Sequence, residues 1–509
     1  MKILTSSQIK FCENLANENG LTAEVLMNNA GYAVYCFIKK KISDYKNKKI
    51  VVICGNGNNG GDGYVTAQKL YNDYVNVDVI STKGEPKSEH ALAVKIKAQK
   101  LGLKIFNTDD IDKVTHLMEE ADILIDAIFG IGFNGALPDE VKALNILWNR
   151  SKAVKFAVDV PTGVITDTGE IDKDCFKSDY TISFMSLKPA NIMLPAKDYF
   201  GSVALTDIGI NKEIIDSIES EVFLIDDEIV WSIIKPKSEN GNKGDYGKLL
   251  NISGCNNMMG AAALSTMGAL RVGVGIVTLA STRNVILSMA SKMLESKFLT
   301  LPYNNYGTLS ANSLPQILNE LENSSACLIG CGLGVNDETK TIFKNVVKEA
   351  KCQLIIDADG LNILSENLEI LKEANAKVIL TPHIGEMARL LKMTTEDVIK
   401  SRYEVITNFA KEYNVTVVLK DYSTTVVDET GKMYINIYSN SGLSKGGSGD
   451  VLAGIIAGLV AQGIENAAVC GVYLHSKAAE YCASKKSKYC MLPSDLINYL
   501  CDVFLEANR

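Results

Sequence analysis

Short β-branched runs alternate with helix-length stretches along nearly the whole chain, and that alternation leaves few folds open. In the first half, 50–54, 75–80, 123–126 and 156–159 read as strands, and 63–74 and 89–101 as helices between them. Such a pattern predicts a parallel sheet covered by helices on both faces. Ligands of such sheets bind at the carboxyl ends of the strands, and Asp126 and Asp159 fall there. A second series follows at 248–254, 275–279, 326–330, 353–357, 377–380 and 415–420, with no evident sequence repeat of the first. The chain has 509 residues, too many for one ordinary core. The polar stretch 211–221 and the loop-like 235–244 put a boundary near residue 220. We therefore expect two different α/β domains, over 1–215 and 225–509.

Charge and composition remove several function classes. A net charge of −8 with no strong basic stretch argues against nucleic-acid partners. The densest basic patch, Lys39–Lys41 with Lys46, Lys48 and Lys49, reads as a solvated helix end. The N-terminal residues lack the apolar core of a secretion signal. The longest nearly apolar stretch, 451–461, falls short of the ~20 residues that span a bilayer, so it reads as a buried helix and no membrane partner is expected. Twelve cysteines are scattered singly without CxxC spacing. Cys327 and Cys331 come closest, with no His or acidic neighbours along the sequence to make a zinc site. Such thiols suit a reducing, cytoplasmic location.

Two glycine-rich turns carry the chemistry. The first, Gly55-Asn56-Gly57-Asn58-Asn59-Gly60-Gly61-Asp62-Gly63, follows a strand and opens a helix. Backbone N–H groups at a helix start favour an anion, and the paired asparagines and Asp62 add oxygens suited to a ribose, an amide or a monovalent cation. The turn is neither a P-loop nor the usual dinucleotide fingerprint. It is joined by Asp126-Ala127-Ile128-Phe129-Gly130-Ile131-Gly132-Phe133-Asn134-Gly135 and Asp159-Val160-Pro161-Thr162-Gly163. The second turn, Lys445-Gly446-Gly447-Ser448-Gly449-Asp450, runs straight into the apolar stretch. It places a carboxylate at the mouth of an anion hole, as phosphoryl transfer requires.

The three motifs of the first half resemble the signature of NAD(P)H-hydrate epimerases, over roughly 1–215. That resemblance implies a Rossmann-like fold and interconversion of the two C6 epimers of hydrated NADH and NADPH. It implies that Asn58, Asn59, Gly60, Gly61, Asp62 and the segment Gly130, Ile131, Gly132, Phe133, Asn134, Gly135, Ala136 hold the substrate. Asn59, Asp126 and Thr162 are then potassium ligands, and Asp159 sits at the hydrated ring and handles the proton. Lys188 resembles a lysine that the family places after this motif, although a surface lysine before Pro189 reads equally well. Ile131 and Thr162 depart from the family's usual Thr and Ser.

The second turn resembles the Gly-x-Gly-Asp signature of ribokinase-like kinases. The blocks 243–248, 260–275, 330–334, Asp357-Ala358-Asp359-Gly360-Leu361-Asn362 and Thr381-Pro382-His383-Ile384-Gly385-Glu386-Met387 narrow the likeness to ADP-dependent NAD(P)H-hydrate dehydratases. The resemblance implies a ribokinase-like C-terminal domain that dehydrates the S epimer with ADP, releasing AMP and phosphate. By it, Ala262, Gly332, His383 and Asp450 contact the hydrated dinucleotide, with Asp450 the catalytic base. Lys420, Asp421, Tyr422, Ser423, Thr424 and Gly449 contact the nucleotide. Asp421 stands where the family usually has Gly, so that loop is expected to be built differently. Magnesium should accompany the nucleotide, though no dedicated ligand cluster is visible. A homo-oligomer is also expected. The alternative is a kinase of a small alcohol fused to a nucleotide-binding domain, and a binding module without catalysis is a further rival.

Overall fold

The computed structural model describes residues 2–508. Met1 and Arg509, the outer ends of the two expected domains, lie outside the described residues. The chain divides into two compact units, Lys2–Val222 and the segment from Phe223 onward.

The N-terminal unit is built on seven parallel strands: β1 (Lys49–Cys54), β2 (Asn76–Ser81), β3 (Ile105–Asn107), β4 (Ile123–Ala127), β5 (Val154–Val158), β6 (Tyr180–Phe184) and β7 (Ser202–Thr206). They run in the order β3-β2-β1-β4-β5-β6-β7. Alternate residues of a strand face opposite sides, and β1 shows what covers each. Ile50, Val52 and Cys54 pack with the helices Ala23–Lys41 and Asn58–Asn72. Val51 and Ile53 pack with Ile111–Glu120 and Asp139–Arg150. Burial on both faces is why β1 reads as a continuous apolar run. The strand order reverses between β1 and β4, the place where a crevice opens beyond the strand ends. This is the Rossmann-like arrangement expected from the sequence.

Nine strands of the second unit follow the same logic: β8 (Lys248–Ile252), β9 (Ile276–Thr282), β10 (Lys297–Leu301), β11 (Ala326–Ile329), β12 (Gln353–Ile356), β13 (Val378–Leu380), β14 (Thr416–Leu419), β15 (Thr425–Val427) and β16 (Met433–Ile435). Their order is β16-β15-β14-β13-β12-β11-β8-β9-β10. Pairing is parallel from β10 to β14 and antiparallel across β14, β15 and β16. The stretch 451–461 lies in the helix Ser448–Ala461, where every residue from Val451 onward is buried. Among the described residues, no helix is long and apolar enough to cross a membrane.

Two local readings change. The first glycine turn is shorter than expected: the helix starts at Asn58, with Gly57 as its N-cap, so Gly60, Gly61 and Asp62 are helical. The polar stretch before the boundary holds a short helix, Lys212–Ser217. Glycine's low helix propensity hid the first, and sequence polarity the second.

Candidate active sites

In the N-terminal unit the three motifs meet beyond the ends of β1, β4 and β5. Gly60 is glycine for closeness: a side chain there would begin 2.0 Å from the Gly55 carbonyl oxygen. That contact closes the turn and sets Asn59 against Gly130, where an added Cβ would lie 3.1 Å from Asn59 Oδ1. The Asn59 amide nitrogen is buried without a hydrogen-bond partner. Asp126 has no exposed surface. Its carboxylate accepts from the Thr162 hydroxyl (2.7 Å), the Thr162 N–H (2.8 Å) and the Ile128 N–H (3.1 Å). Burial nevertheless pushes its pKa up to about 6, against the lowering effect of those bonds. Asn59, Asp126 and Thr162 thus form one cluster. Gly132, Asn134, Gly135 and Ala136 are exposed at its rim, with Ile131 and Phe133 partly so. Asn58 is also exposed and accepts from the Ser88 hydroxyl at 2.7 Å.

Asp159 follows β5 in the left-handed region, at φ 65°, a conformation that costs energy for any residue but glycine. Its carboxylate pairs with the Lys188 ammonium and accepts from the Phe184 N–H at 3.1 Å. Lys188 is fully buried, and its ammonium also reaches the Phe184 carbonyl at 2.9 Å. The surface-lysine reading is therefore corrected: a buried ammonium needs a carboxylate, and Asp159 supplies it. Two further acids crowd this pair. Burial and then the Asp159 charge raise the pKa of Glu13. Burial, then Asp159 and Glu13, raise that of Asp62 well above the usual range. Glu13, on the helix Ser6–Glu18, was missed in the sequence because no motif surrounds it.

In the second unit, Lys420, Asp421, Tyr422 and Thr424 line a cleft of about 850 Å³ together with residues 445–450. It is lined among others by Asp357, His383, Lys420, Asp421, Tyr422, Thr424, Gly449 and Asp450. Asp450 lies in the first turn of Ser448–Ala461, where the helix dipole and free N–H groups favour an anion. Burial and the neighbouring Asp357 push its pKa up to about 6, opposed by Cys331 and Lys420. The Lys420 ammonium is 2.7 Å from Asp357 Oδ1 and 3.8 Å from Glu386 Oε2. Burial opposes its charge, but Asp357 and Glu386 carry its pKa upward. His383 caps the helix Ile384–Leu391, with Nδ1 accepting from the Gly385 and Glu386 N–H groups at 2.9 and 3.2 Å. Its side chain is 55% exposed in the cleft.

Some of the expected contact residues are buried or turned away from the cleft. Ala262 has no exposed surface and packs with Leu279, Val285 and Met289, on the inner side of the helix Met259–Arg271. Gly332 is also buried, against Met258 and Ala261, and neither residue lines the cleft. Ser423 is turned inward, its hydroxyl donating to the Asn436 carbonyl at 2.9 Å. Asp421 is not in the left-handed region, and the buried Arg402 pairs with it. The sequence also gave no sign of carboxylates at Cys331, yet Asp357 and Asp450 gather around it. Asp357, which stands in a quoted motif but was given no role there, and the buried His475, whose Nε2 is 3.1 Å from the Ser448 carbonyl and which no motif announced, also line the cleft.

The fold and the two centres define a chain with one candidate site in each unit: buried acid and amide groups in a Rossmann-like unit, and a carboxylate at a helix N-terminus in a kinase-like unit. Comparison with known proteins makes this specific. The family described as NAD(P)H-hydrate dehydratase matches residues 249–502, and the YjeF-related protein N-terminus matches 23–190. The bifunctional NAD(P)H-hydrate repair enzyme of Moorella thermoacetica is 32% identical, over 98% of this chain and 96% of that protein. The enzyme of that name from Dictyoglomus turgidum is also 32% identical, over 98% of each. The crystal structure of a hypothetical protein from Streptococcus mutans aligns with a TM-score of 0.50 and 28% identity, over 56% of this chain and all of that one (100%). The chain belongs to the family of bifunctional NAD(P)H-hydrate repair enzymes. It joins an epimerase and a dehydratase, and the reading as a kinase of a small alcohol falls away, as does that of a binding module without catalysis.

Proposed function

We propose that the N-terminal site interconverts the R and S forms of hydrated NADH and NADPH, and that the C-terminal site dehydrates the S form with ADP. The observation that carries the second half is Asp450, set at a helix N-terminus in a cleft that it shares with Lys420. The Asp450 carboxylate takes the proton of the ring hydroxyl as its oxygen attacks the β-phosphorus of ADP. AMP leaves, and the ring carbon now carries phosphate, a far better leaving group than hydroxide. Loss of that phosphate and of a proton from the adjacent ring carbon restores the C=C bond. Lys420 and the N–H groups of the 446–449 turn offset the charge on the transferring phosphoryl group. Gly449 leaves open the space beside Lys420: an added Cβ would lie 3.2 Å from its ammonium.

Magnesium fits as a companion of the nucleotide and not as a resident ion. Of the three groups that come together at Asp450, the buried Cys331 offers a thiol, which a hard cation disfavours. Asp357 Oδ1 is already engaged by Lys420 and Thr381. Potassium fits better in the N-terminal unit. Asn59 Oδ1 and the Thr162 oxygens lie with a desolvated Asp126 carboxylate whose hydrogen-bond donors are all uncharged, and a monovalent cation would relieve that carboxylate. In the epimerase, Asp159 handles the proton at the hydrated ring, and Lys188 fixes its position. All twelve cysteines are unpaired, which supports a cytoplasmic setting. A homo-oligomer completes the proposal and is checked by sedimentation.

The test is recovery of reduced-nicotinamide absorbance from a mixture of hydrated NADH epimers, with ADP and magnesium, over times too short for spontaneous epimerisation. Wild type should convert both epimers, Asp159→Ala only one, and Asp450→Asn neither. Conversion of one epimer by wild type would remove the epimerase assignment, and full activity in Asp450→Asn would remove that of the base.

A further inference from the structure

Four residues that follow adjacent strands of the second sheet make a row along its carboxyl edge. Cys331 comes after β11, Asp357 after β12, Thr381 after β13 and Lys420 after β14, and these strands are neighbours in that order. Backbone bonds carry the ladder into the last three. The Asp357 N–H donates to the Ile329 carbonyl (3.2 Å), that of Thr381 to Ile356 (3.2 Å) and that of Lys420 to Pro382 (2.7 Å). The sheet thus fixes where each side chain starts. Asp357 collects what its neighbours offer. Its Oδ1 accepts from the Thr381 hydroxyl at 2.6 Å and from the Lys420 ammonium at 2.7 Å, and its Oδ2 accepts from the Cys331 thiol at 3.5 Å. Only 1% of Asp357 is exposed. With both oxygens engaged and water kept out, the carboxylate is a fixed negative charge.

Lys420 crosses β13 to make this contact. Adjacent strands lie ~4.8 Å apart, so reaching from β14 to Asp357 takes a long side chain. The ammonium ends beside the glycine turn, where a Cβ added at Gly449 would lie 3.2 Å from it. Glu386 Oε2 is 3.8 Å away, beyond hydrogen-bond distance, and that oxygen already accepts from the His383 N–H at 2.8 Å. Asp357 is therefore the partner that sets where the ammonium stands. An ammonium has three N–H donors, so the bond to Asp357 leaves others for an anion in front of Gly449. We propose that Asp357 is a positioning residue of the dehydratase, which holds the Lys420 ammonium beside Gly449 so that its remaining N–H groups meet the phosphoryl group leaving ADP. The inference rests on the reading of Lys420 and the 446–449 turn as the place of phosphoryl transfer. Asp357 acts only through Lys420. Without its carboxylate the ammonium keeps its charge and loses its fixed place, so the transition state suffers more than nucleotide binding does.

The experiment measures kcat and the KM for ADP in dehydration of the S epimer by full-length wild type, Asp357→Asn, Lys420→Met and the double variant. Asp357→Asn keeps the shape and an acceptor for Thr381; it should lower kcat ~10-fold and change the KM for ADP by less than ~3-fold. Lys420→Met should lower kcat ~100-fold. Because Asp357 works through the ammonium, the double variant should be no slower than Lys420→Met alone. If Asp357→Asn fails to fold, Thr381→Val takes its place. It removes one bond to the carboxylate and keeps the bulk, and its ~3-fold loss of kcat should vanish in the Lys420→Met background. Losses that multiply in the double variant, to ~1000-fold, would overturn the proposal and leave Asp357 a structural acid. Wild-type kcat in Asp357→Asn would overturn it as well. Wild-type kcat in Lys420→Met would instead strike down the reading of the transfer site beneath it.

Discussion

Asp126 is a carboxylate without exposed surface, and its burial makes a pH-dependent prediction about potassium. Its folded pKa of about 6 exceeds the ordinary 3.8. Without a cation it therefore stabilises the fold below the ordinary value, and that contribution is lost as the pH rises through about 6. A bound potassium ion competes with that proton. Potassium should raise the unfolding temperature by ~2–4 °C above this range and by nothing well below it, and Asp126→Asn should abolish the response. Calorimetry with sodium as the control decides it. Lys188 makes a second prediction at this scale. Lys188→Met leaves the Asp159 carboxylate buried without its cation, a loss of ~3–5 kcal/mol. Denaturant melts should show it, and a loss below about 1 kcal/mol, typical of a surface pair, would contradict the buried ion pair.

The helix Ser448–Ala461 carries the 445–450 turn at one end and is buried from Val451 onward. Its glycines look wasteful for a helix, since alanine would be favoured by ~1 kcal/mol at each. Gly454 cannot change, however: a Cβ there would begin 2.0 Å from the Ser265 carbonyl oxygen of the helix Met259–Arg271. Gly454→Ala should thus destabilise the unit by ~1–3 kcal/mol, opposite in sign to the propensity. A stabilised protein in a urea melt would show that the two helices can separate. Close helix packing also sets where the 446–450 turn points, so the same variant should lower dehydratase kcat and leave epimerisation unchanged.

Two complete sites in separate units make a prediction for the whole molecule. A mixture of Asp159→Ala and Asp450→Asn proteins should convert both epimers, because the epimer made by one protein can diffuse to the other. The rate should rise with the concentration of both. Failure of the mixture, with each variant folded and active in its remaining reaction, would mean that transfer between sites requires a single chain. The family matches cover both halves, and a dehydratase selective for one epimer gains from an attached epimerase, since both forms arise by damage.

The sequence by itself determined the α/β class, the central strands and both glycine turns. These follow from local patterns: strands buried on both faces must be apolar throughout, and a phosphate-binding turn needs glycine. It missed the outer strands β3, β6, β7, β10, β15 and β16, most of which lack the continuous apolar run of a strand buried on both faces. It could place Asp159, Asp126 and Asp450 at strand or helix ends, but not their partners. Lys188 is 29 residues from Asp159, and Cys331 is 26 from Asp357; neither distance leaves a mark in the sequence. Ala262 shows the reverse, a motif residue that its helix turns into the core. Only the tertiary structure decided which charges are buried and which thiol or ammonium stands beside them. Burial and charge proximity depend on the packing of distant elements, and they set the protonation state of each carboxylate.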